Sequence, residues 1–334
     1  MRQLPPARRV ELPAGTTPSG TALDAITLSL HEAGPSDGPA VVLCHGFPEL
    51  AYSWRHQVPA LAEAGFRVLA PDQRGYGASD CPEAIEAYSL EHLMGDMVRL
   101  LDARGIEKAV FAGHDWGGFV AWGMPVAYPD RTAGVIGVNT PNVPMPRTSV
   151  MRLAVPDDEK LYILWFQEPG VAEGVLDKRP SLVFEKLMRT GSAPENRQTL
   201  AERARAGGEM DANPFRRLEG LPALGEPILD AEELAVYVCA FEQTGFRGGI
   251  NWYRNVDRNA DAFPTVGTQK LDLPCLMVTA EWDMALRPEM AAGMPAVCSD
   301  LEMHMIERCG HWTQQEKPDE LNAVLLDWLE RRFA

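Results

Sequence analysis

Three side chains in this sequence could together break and remake a bond at carbon, and each stands directly after an apolar run. The first is Asp115, in Gly113-His114-Asp115-Trp116-Gly117-Gly118, which follows Ala109-Val110-Phe111-Ala112 and precedes a helix-like segment at 119–128. The order is strand, sharp turn, helix. Glycines on both sides suit a turn too tight for side chains at 113 or 117, and they thrust the apex residue outward. A serine at such an apex must lose a proton before it attacks a carbonyl. A carboxylate is already an anion and can displace a leaving group from saturated carbon, leaving an alkyl ester of Asp115. Read alone, the same aspartate would serve as the N-cap of the following helix.

Two further residues favour the chemical reading. Asp283 lies in Glu281-Trp282-Asp283-Met284 after an apolar run at 276–280, and His311 lies in Gly310-His311-Trp312 after another at 301–306. An imidazole oriented by a carboxylate is a general base able to activate water. Nucleophile, acid and histidine, in that order and at three strand ends, form the expected catalytic triad.

The elements that must hold these residues follow from periodicity. Runs at 10–12 and 25–30 open the chain as a meander, and 34–39 is a turn cluster. Ala40-Val41-Val42-Leu43-Cys44 is an unbroken apolar run, as in a strand buried on both faces of a parallel sheet. It leads into His45-Gly46-Phe47-Pro48-Glu49, where Gly46 and Pro48 set a turn that aims the backbone N–H of Phe47 at the carboxyl ends of the strands. A strand at 66–70 ends in a charged turn at 71–80, with Asp72 and Arg74 the expected ion pair. Residues 89–101 have helical spacing, with Ser89 as cap and Gly105 just past the end, and 133–138 is another strand. This alternation predicts the α/β class: a mostly parallel sheet with helices on both faces.

At Asn139 the pattern changes. Amphipathic helical stretches joined by Pro and Gly run to about residue 265, and the sheet then resumes at 276–280 and 301–306 before a closing helix at 318–333. The expected organisation is a core over 1–140, an inserted helical cap over 141–265 and the rest of the core over 266–334. Within the cap, 178–229 reads as a variable loop.

With 334 residues, 46% of them hydrophobic, the chain has ample core material. Lys and Arg total 31 against 47 Asp and Glu, a net charge of -16 that argues against a nucleic acid or an anionic membrane as partner. A small uncharged substrate fits better. No window approaches the ~18 apolar residues needed to span a bilayer, and a cytoplasmic location is expected. Cys44, Cys81, Cys239, Cys275, Cys298 and Cys309 are scattered, with no metal-ligand spacing, so neither metal nor cofactor is expected.

Taken together these motifs resemble the epoxide hydrolases of the α/β-hydrolase fold, of the soluble type, from about Val10 onward. The resemblance rests on His45-Gly46-Phe47-Pro48, the glycine turn around Asp115, Asp283, Gly310-His311-Trp312, and two segments of the cap, Tyr162-Ile163-Leu164-Trp165-Phe166-Gln167-Glu168-Pro169-Gly170-Val171-Ala172-Glu173 and Asn251-Trp252-Tyr253-Arg254-Asn255. It implies hydrolysis of an epoxide to a vicinal diol through an Asp115 ester. In that family a tyrosine of each cap segment points at the epoxide oxygen, here Tyr162 and Tyr253. Backbone N–H groups of Phe47 and Trp116 are the implied oxyanion hole, and His45, Pro48, Trp165, Phe166 and Trp252 the implied pocket. A phenol suits the task, because with a pKa near ~10 it is still protonated at neutral pH and can donate to the alkoxide that ring opening creates.

Haloalkane dehalogenases share the fold, the aspartate and the following tryptophan, but need halide donors, and Phe47 offers no side-chain N–H. Fluoroacetate-type dehalogenases carry arginine where Trp116 stands. A non-catalytic small-ligand receptor on the same fold is a further alternative; the presence of all three triad members argues against it.

Overall fold

In the computed structural model, residues 4–192 and 212–334 are described, so part of the segment 178–229 expected to be a loop lies outside the described residues. Eight strands form one sheet: β1 (Arg8–Leu12), β2 (Ile26–Ala33), β3 (Ala40–Cys44), β4 (Arg67–Asp72), β5 (Ala109–His114), β6 (Thr132–Val138), β7 (Leu271–Ala280) and β8 (Cys298–Ile306). Their order across the sheet is β1-β2-β4-β3-β5-β6-β7-β8. The pairs β1–β2 and β2–β4 are antiparallel and every later pair is parallel.

Burial on two faces explains the continuous apolar strands. Along β3, Val42 and Cys44 face one core and Val41 and Leu43 the other. The second core is closed by α1 (Gln57–Glu63), through Val58 and Leu61, and by the last helix, Pro318–Phe333, through Leu321, Leu325, Trp328 and Leu329. The first core takes α2 (Leu90–Ala103) and α3 (Trp116–Ala127). Ser89 stands at the start of α2, but its hydroxyl meets His92 Nδ1 at 2.8 Å instead of capping the helix.

Between β6 and β7 the described residues hold helices and two single bridges but no strand: α4 (Thr148–Ala154), α5 (Tyr162–Trp165), α6 (Glu173–Leu176), α7 (Pro180–Leu187), α8 (Ala231–Thr244), α9 (Arg247–Arg254) and α10 (Val256–Ala262). Asp230 and Glu233 make a capping box at the start of α8. Glu233 also takes Arg55 Nε at 2.7 Å, tying α8 to the turn before α1.

The expected Asp72–Arg74 pair does not form. Asp72 accepts the N–H of Ala51 at 2.9 Å, while Arg74 turns the other way and grips Asp96 of α2 with two bonds of 2.6 Å. Arg99 reaches the same carboxylate at 2.6 Å and also donates to the carbonyls of Pro13 and Asp24, each at 2.8 Å. All three side chains are buried. Removing one member of such a cluster leaves uncompensated charge, at a cost of about 3–5 kcal/mol. Asp96→Ala is therefore expected to lower the free energy of urea unfolding by that amount; a loss below about 1 kcal/mol would mean the guanidiniums find water instead.

Candidate active site

The turn between β5 and α3 is as tight as its glycines require. A Cβ at 113 would sit 1.9 Å from the carbonyl oxygen of Gly117, and one at 117 would sit 2.0 Å from that of Cys44. Asp115, at the apex, is held at φ 50°, ψ -121°. Such a backbone costs a non-glycine residue roughly 1–3 kcal/mol. Asp115 occupies the N-cap position of α3, yet its side chain makes no capping bond. Instead Oδ1 accepts the backbone N–H of Phe47 at 2.8 Å. A Cβ at Gly46 would lie 2.4 Å from Asp115 Cβ, so the turn after β3 approaches the carboxylate only because residue 46 has no side chain.

The other carboxylate oxygen, Oδ2, lies 3.8 Å from His311 Nε2. His311 Nδ1 is 2.9 Å from Asp283 Oδ2. Asp283 is buried, and its Oδ1 accepts the N–H groups of Ala285 and Leu286 at 2.8 and 2.9 Å. Burial works against its charge, but His311, these N–H donors and Asn139 outweigh burial and hold it well below the usual carboxylate range. Burial also draws the His311 imidazole down, and the charges of Asp283, Asp115 and Glu49 overcome it and push it up to about 9. Asp115 itself is raised: burial prevails over the pull of His311, His114 and the N–H groups of Phe47 and Trp116.

Opposite the carboxylate stand two phenols. Tyr162 opens α5 and Tyr253 lies on α9, their rings 5.6 Å apart. Both line a cavity of about 370 Å³ together with Phe47, Pro48, Asp115, Asp283 and His311. Burial, reinforced by the negative charge of Asp115, lifts both phenols well above their ordinary value. Two cross-links fix the helices that carry them. Gln167 Nε2 donates to the carbonyl of Tyr253 at 3.0 Å, and Arg254 donates to the carbonyl of Phe166 at 2.8 Å while pairing with Glu173 at 2.6 Å.

Four residues expected in the pocket lie behind its wall. Phe166 is fully buried and packs on Phe47, Phe215 and Tyr253 at 5.5, 5.1 and 5.1 Å between ring centroids. Trp165 packs on Phe166 at 5.8 Å and Trp252 on Tyr76 at 5.2 Å. His45 accepts the N–H of Gln73 at 3.0 Å through Nε2 and so braces its own turn. Successive positions on a short helix point in different directions, so of Trp252 and Tyr253 only one can face the cavity. Pro48 does line the cavity, and so do Leu187, Leu221, Leu224, Met284 and Trp312.

Residues 39–318 match the family model described as the alpha/beta hydrolase fold. Epoxide hydrolase A of Mycobacterium tuberculosis is 42% identical over 315 residues, which covers 92% of this chain and 95% of that protein. The chain belongs to the alpha/beta hydrolase fold family, among its epoxide hydrolases. A crystal structure of epoxide hydrolase A from Mycobacterium thermoresistibile superposes with a TM-score of 0.81 at 41% identity, covering 97% of this chain and 98% of the other. Bifunctional epoxide hydrolase 2 of Sus scrofa is 44% identical over 302 residues; the match takes in 90% of this chain but 53% of that protein, so the chain spans about half the length of this relative.

One part of this hydrolase's site had no periodicity to announce it. Glu49, fully buried, accepts the N–H of Gly46 at 2.8 Å, meets His114 Nδ1 at 2.8 Å and takes Gln314 Nε2 at 2.6 Å. His114 Nε2 lies 2.7 Å from the carbonyl oxygen of His311. A carbonyl only accepts, so Nε2 is the donor in that bond, while Nδ1 faces the Glu49 carboxylate. Burial opposes the charge of Glu49, but His114 and the Gly46 N–H hold it below its ordinary value. The network joins the turn after β3, the residue before Asp115 and the loop of His311. Its one signal in the sequence is a glutamate set among apolar and turn residues.

Proposed function

We propose that this chain opens epoxides with water to give vicinal diols, by way of a covalent ester on Asp115. The observation that carries this reading is one cavity lined both by the Asp115 carboxyl group and by two phenols that burial holds well above their ordinary pKa. Carboxylate attack supplies the new C–O bond, and phenols supply protons to the oxygen that leaves. In this reading Asp115, Asp283 and His311 act as the triad, and the helices of 141–265 act as a cap that delivers Tyr162 and Tyr253.

The proton ledger closes. Asp115 attacks one ring carbon, the C–O bond breaks, and Tyr162 and Tyr253 protonate the alkoxide. His311, an imidazolium at rest, replaces the proton they lose and becomes neutral. It then takes a proton from water as the hydroxide adds to the Asp115 carbonyl carbon. Backbone N–H groups of Phe47 and Trp116 steady the resulting oxyanion; one such donor is typically worth about 3 kcal/mol. The second alkoxide leaves with the proton from His311, and the new Asp115 carboxyl returns one to the imidazole.

Phenol donation has a separate test. Tyr162→Phe or Tyr253→Phe alone is expected to slow ester formation about tenfold, and the double change on the order of 10³-fold, as for loss of a positioned proton donor. Rapid-quench measurement of the ester reads this step alone. An unchanged rate in the double variant would remove the phenols from the reaction. Halide release offers the alternative chemistry for the same carboxylate, and assaying styrene oxide beside 1-bromobutane decides between them: diol without bromide is expected, and bromide without diol would overturn the reading.

A further inference from the structure

We infer that Asn139 is a positioning residue that clamps the loop of Asp283 to the loop of His311 and moderates the hold of that carboxylate on the imidazole, an inference that rests on the reaction proposed above. Asn139 is the first residue after β6 and is 1% exposed. Its backbone stands at φ 64°, in the left-handed region, and its N–H is pinned to the carbonyl of Val278 at 2.8 Å. Asparagine enters this region more readily than other side chains, and glycine more readily still.

The side chain explains why a glycine would not do. Asn139 Nδ2 donates to Asp283 Oδ2 at 2.7 Å and lies 3.4 Å from the carbonyl oxygen of Gly310, the residue before His311. Both neighbours are pure acceptors, so the nitrogen end of the amide must face them, and its two protons serve two loops. Asn139 Oδ1, on the other side, is buried without a hydrogen-bond partner. Asp283 thereby receives four donors, Ala285 and Leu286 on Oδ1 with Asn139 and His311 on Oδ2. Three of them fix the carboxylate, and the fourth direction is left for the imidazole. Thr140 does the same for the nucleophile: its hydroxyl donates to the carbonyl of Asp115 at 2.7 Å. Two consecutive residues after β6 thus touch all three loops of the site.

The shared oxygen has an electrostatic consequence. Asn139 draws charge from the atom that grips His311 Nδ1, so the carboxylate retains the imidazole proton less tightly. His311 faces the charges of Asp283, Asp115 and Glu49 and the ring of His114, 4.9 Å away. Asp283 faces His311, Tyr162, Cys309 and Glu316. Of the groups around the imidazole only Asp115 changes charge when the ester forms. In the ester, Asp283 and its donors therefore decide at which pH the imidazole is free to accept a proton from water.

The test compares Asn139→Gly and Asn139→Asp with the parent protein in rapid-quench experiments on styrene oxide. Glycine accepts the left-handed backbone, so a change in Asn139→Gly is not a folding defect, and its melting temperature is recorded beside the kinetics. Ester formation is expected to stay within about threefold of the parent in Asn139→Gly. The acid limb of ester decay is expected to move up by about one pH unit in Asn139→Gly, and further in Asn139→Asp, which turns a second carboxylate toward Asp283. A limb that does not move in Asn139→Gly overturns the inference, as does equal slowing of formation and decay. Ester that decays with an unmoved limb sinks this inference alone; absence of any ester, in the parent and in His311→Gln, sinks the proposed reaction and this inference with it.

Discussion

Mixed with styrene oxide, the His311→Gln protein is expected to gain the mass of one substrate molecule and keep it. In the proposed reaction ring opening uses the carboxylate of Asp115 and the two phenols, all still present, with solvent supplying more slowly the proton that His311 would return to them, whereas release needs a base 3.8 Å from that carboxylate. Removing the base slows ester hydrolysis on the order of 10⁴-fold, by analogy with loss of a general base in other hydrolases that work through an ester. Mass spectrometry of the intact protein, then of the peptide containing Asp115, reads the result. An unmodified protein, under conditions where the parent makes diol, would show that no ester lies on the route.

The same histidine sets the pH behaviour of the parent. Its imidazole, pushed up to about 9 chiefly by Asp283 against the effect of burial, is protonated in the free protein at neutral pH. Ester formation, which draws on that proton, should hold through neutrality and fall as pH rises through about 9. Once Asp115 is esterified its negative charge is gone, and the imidazole loses one of the groups that raised it. Ester decay should then increase with pH toward a plateau whose midpoint lies below that of the first step. Midpoints in the reverse order would mean that Asp115 does not lose its charge between the steps.

Asp115→Ala is expected to abolish turnover, with a loss of at least about 10⁵-fold and no ester on any residue. Its stability should not fall and could rise, because Asp115 holds a strained backbone at φ 50° and a raised carboxyl in a buried site. Loss of activity together with retained or improved melting temperature would mark a group kept for chemistry. Activity within tenfold of the parent would exclude Asp115 as nucleophile.

Much of this was legible in the chain itself. Apolar runs such as 40–44 had to be strands buried on both faces, and the glycines at 113 and 117 could only mean close backbone approach, since each would overlap a carbonyl if substituted. The places of Asp115 and His311 after strands were equally legible, and the fold brings the two side chains to 3.8 Å. What stayed hidden depended on direction. Nearness in sequence suggested Asp72 for Arg74, yet Asp72 takes the N–H of Ala51 and Arg74 finds Asp96 on a helix twenty-two positions away. Trp165, Phe166 and Trp252 have the composition of a pocket lining, but composition does not say which side of a short helix faces the cavity. The partnership of Glu49, His114 and Gln314 joins a turn, a strand end and a short helix far apart in the chain and leaves no local pattern at all.

The rings of Phe47, Phe166, Phe215, Tyr162 and Tyr253 touch one another at 5.1 to 5.7 Å between centroids, so they behave as one stiff wall that includes both phenols. For anyone reshaping the cavity, that separates lining residues that should be left alone from lining residues that can be trimmed. Shortening Phe166 would sacrifice about 3–5 kcal/mol of packing and loosen the support of both phenols. Leu187, Leu221, Leu224 and Met284 also line the cavity without belonging to that ring cluster, and trimming them is the route by which bulkier guests could be admitted.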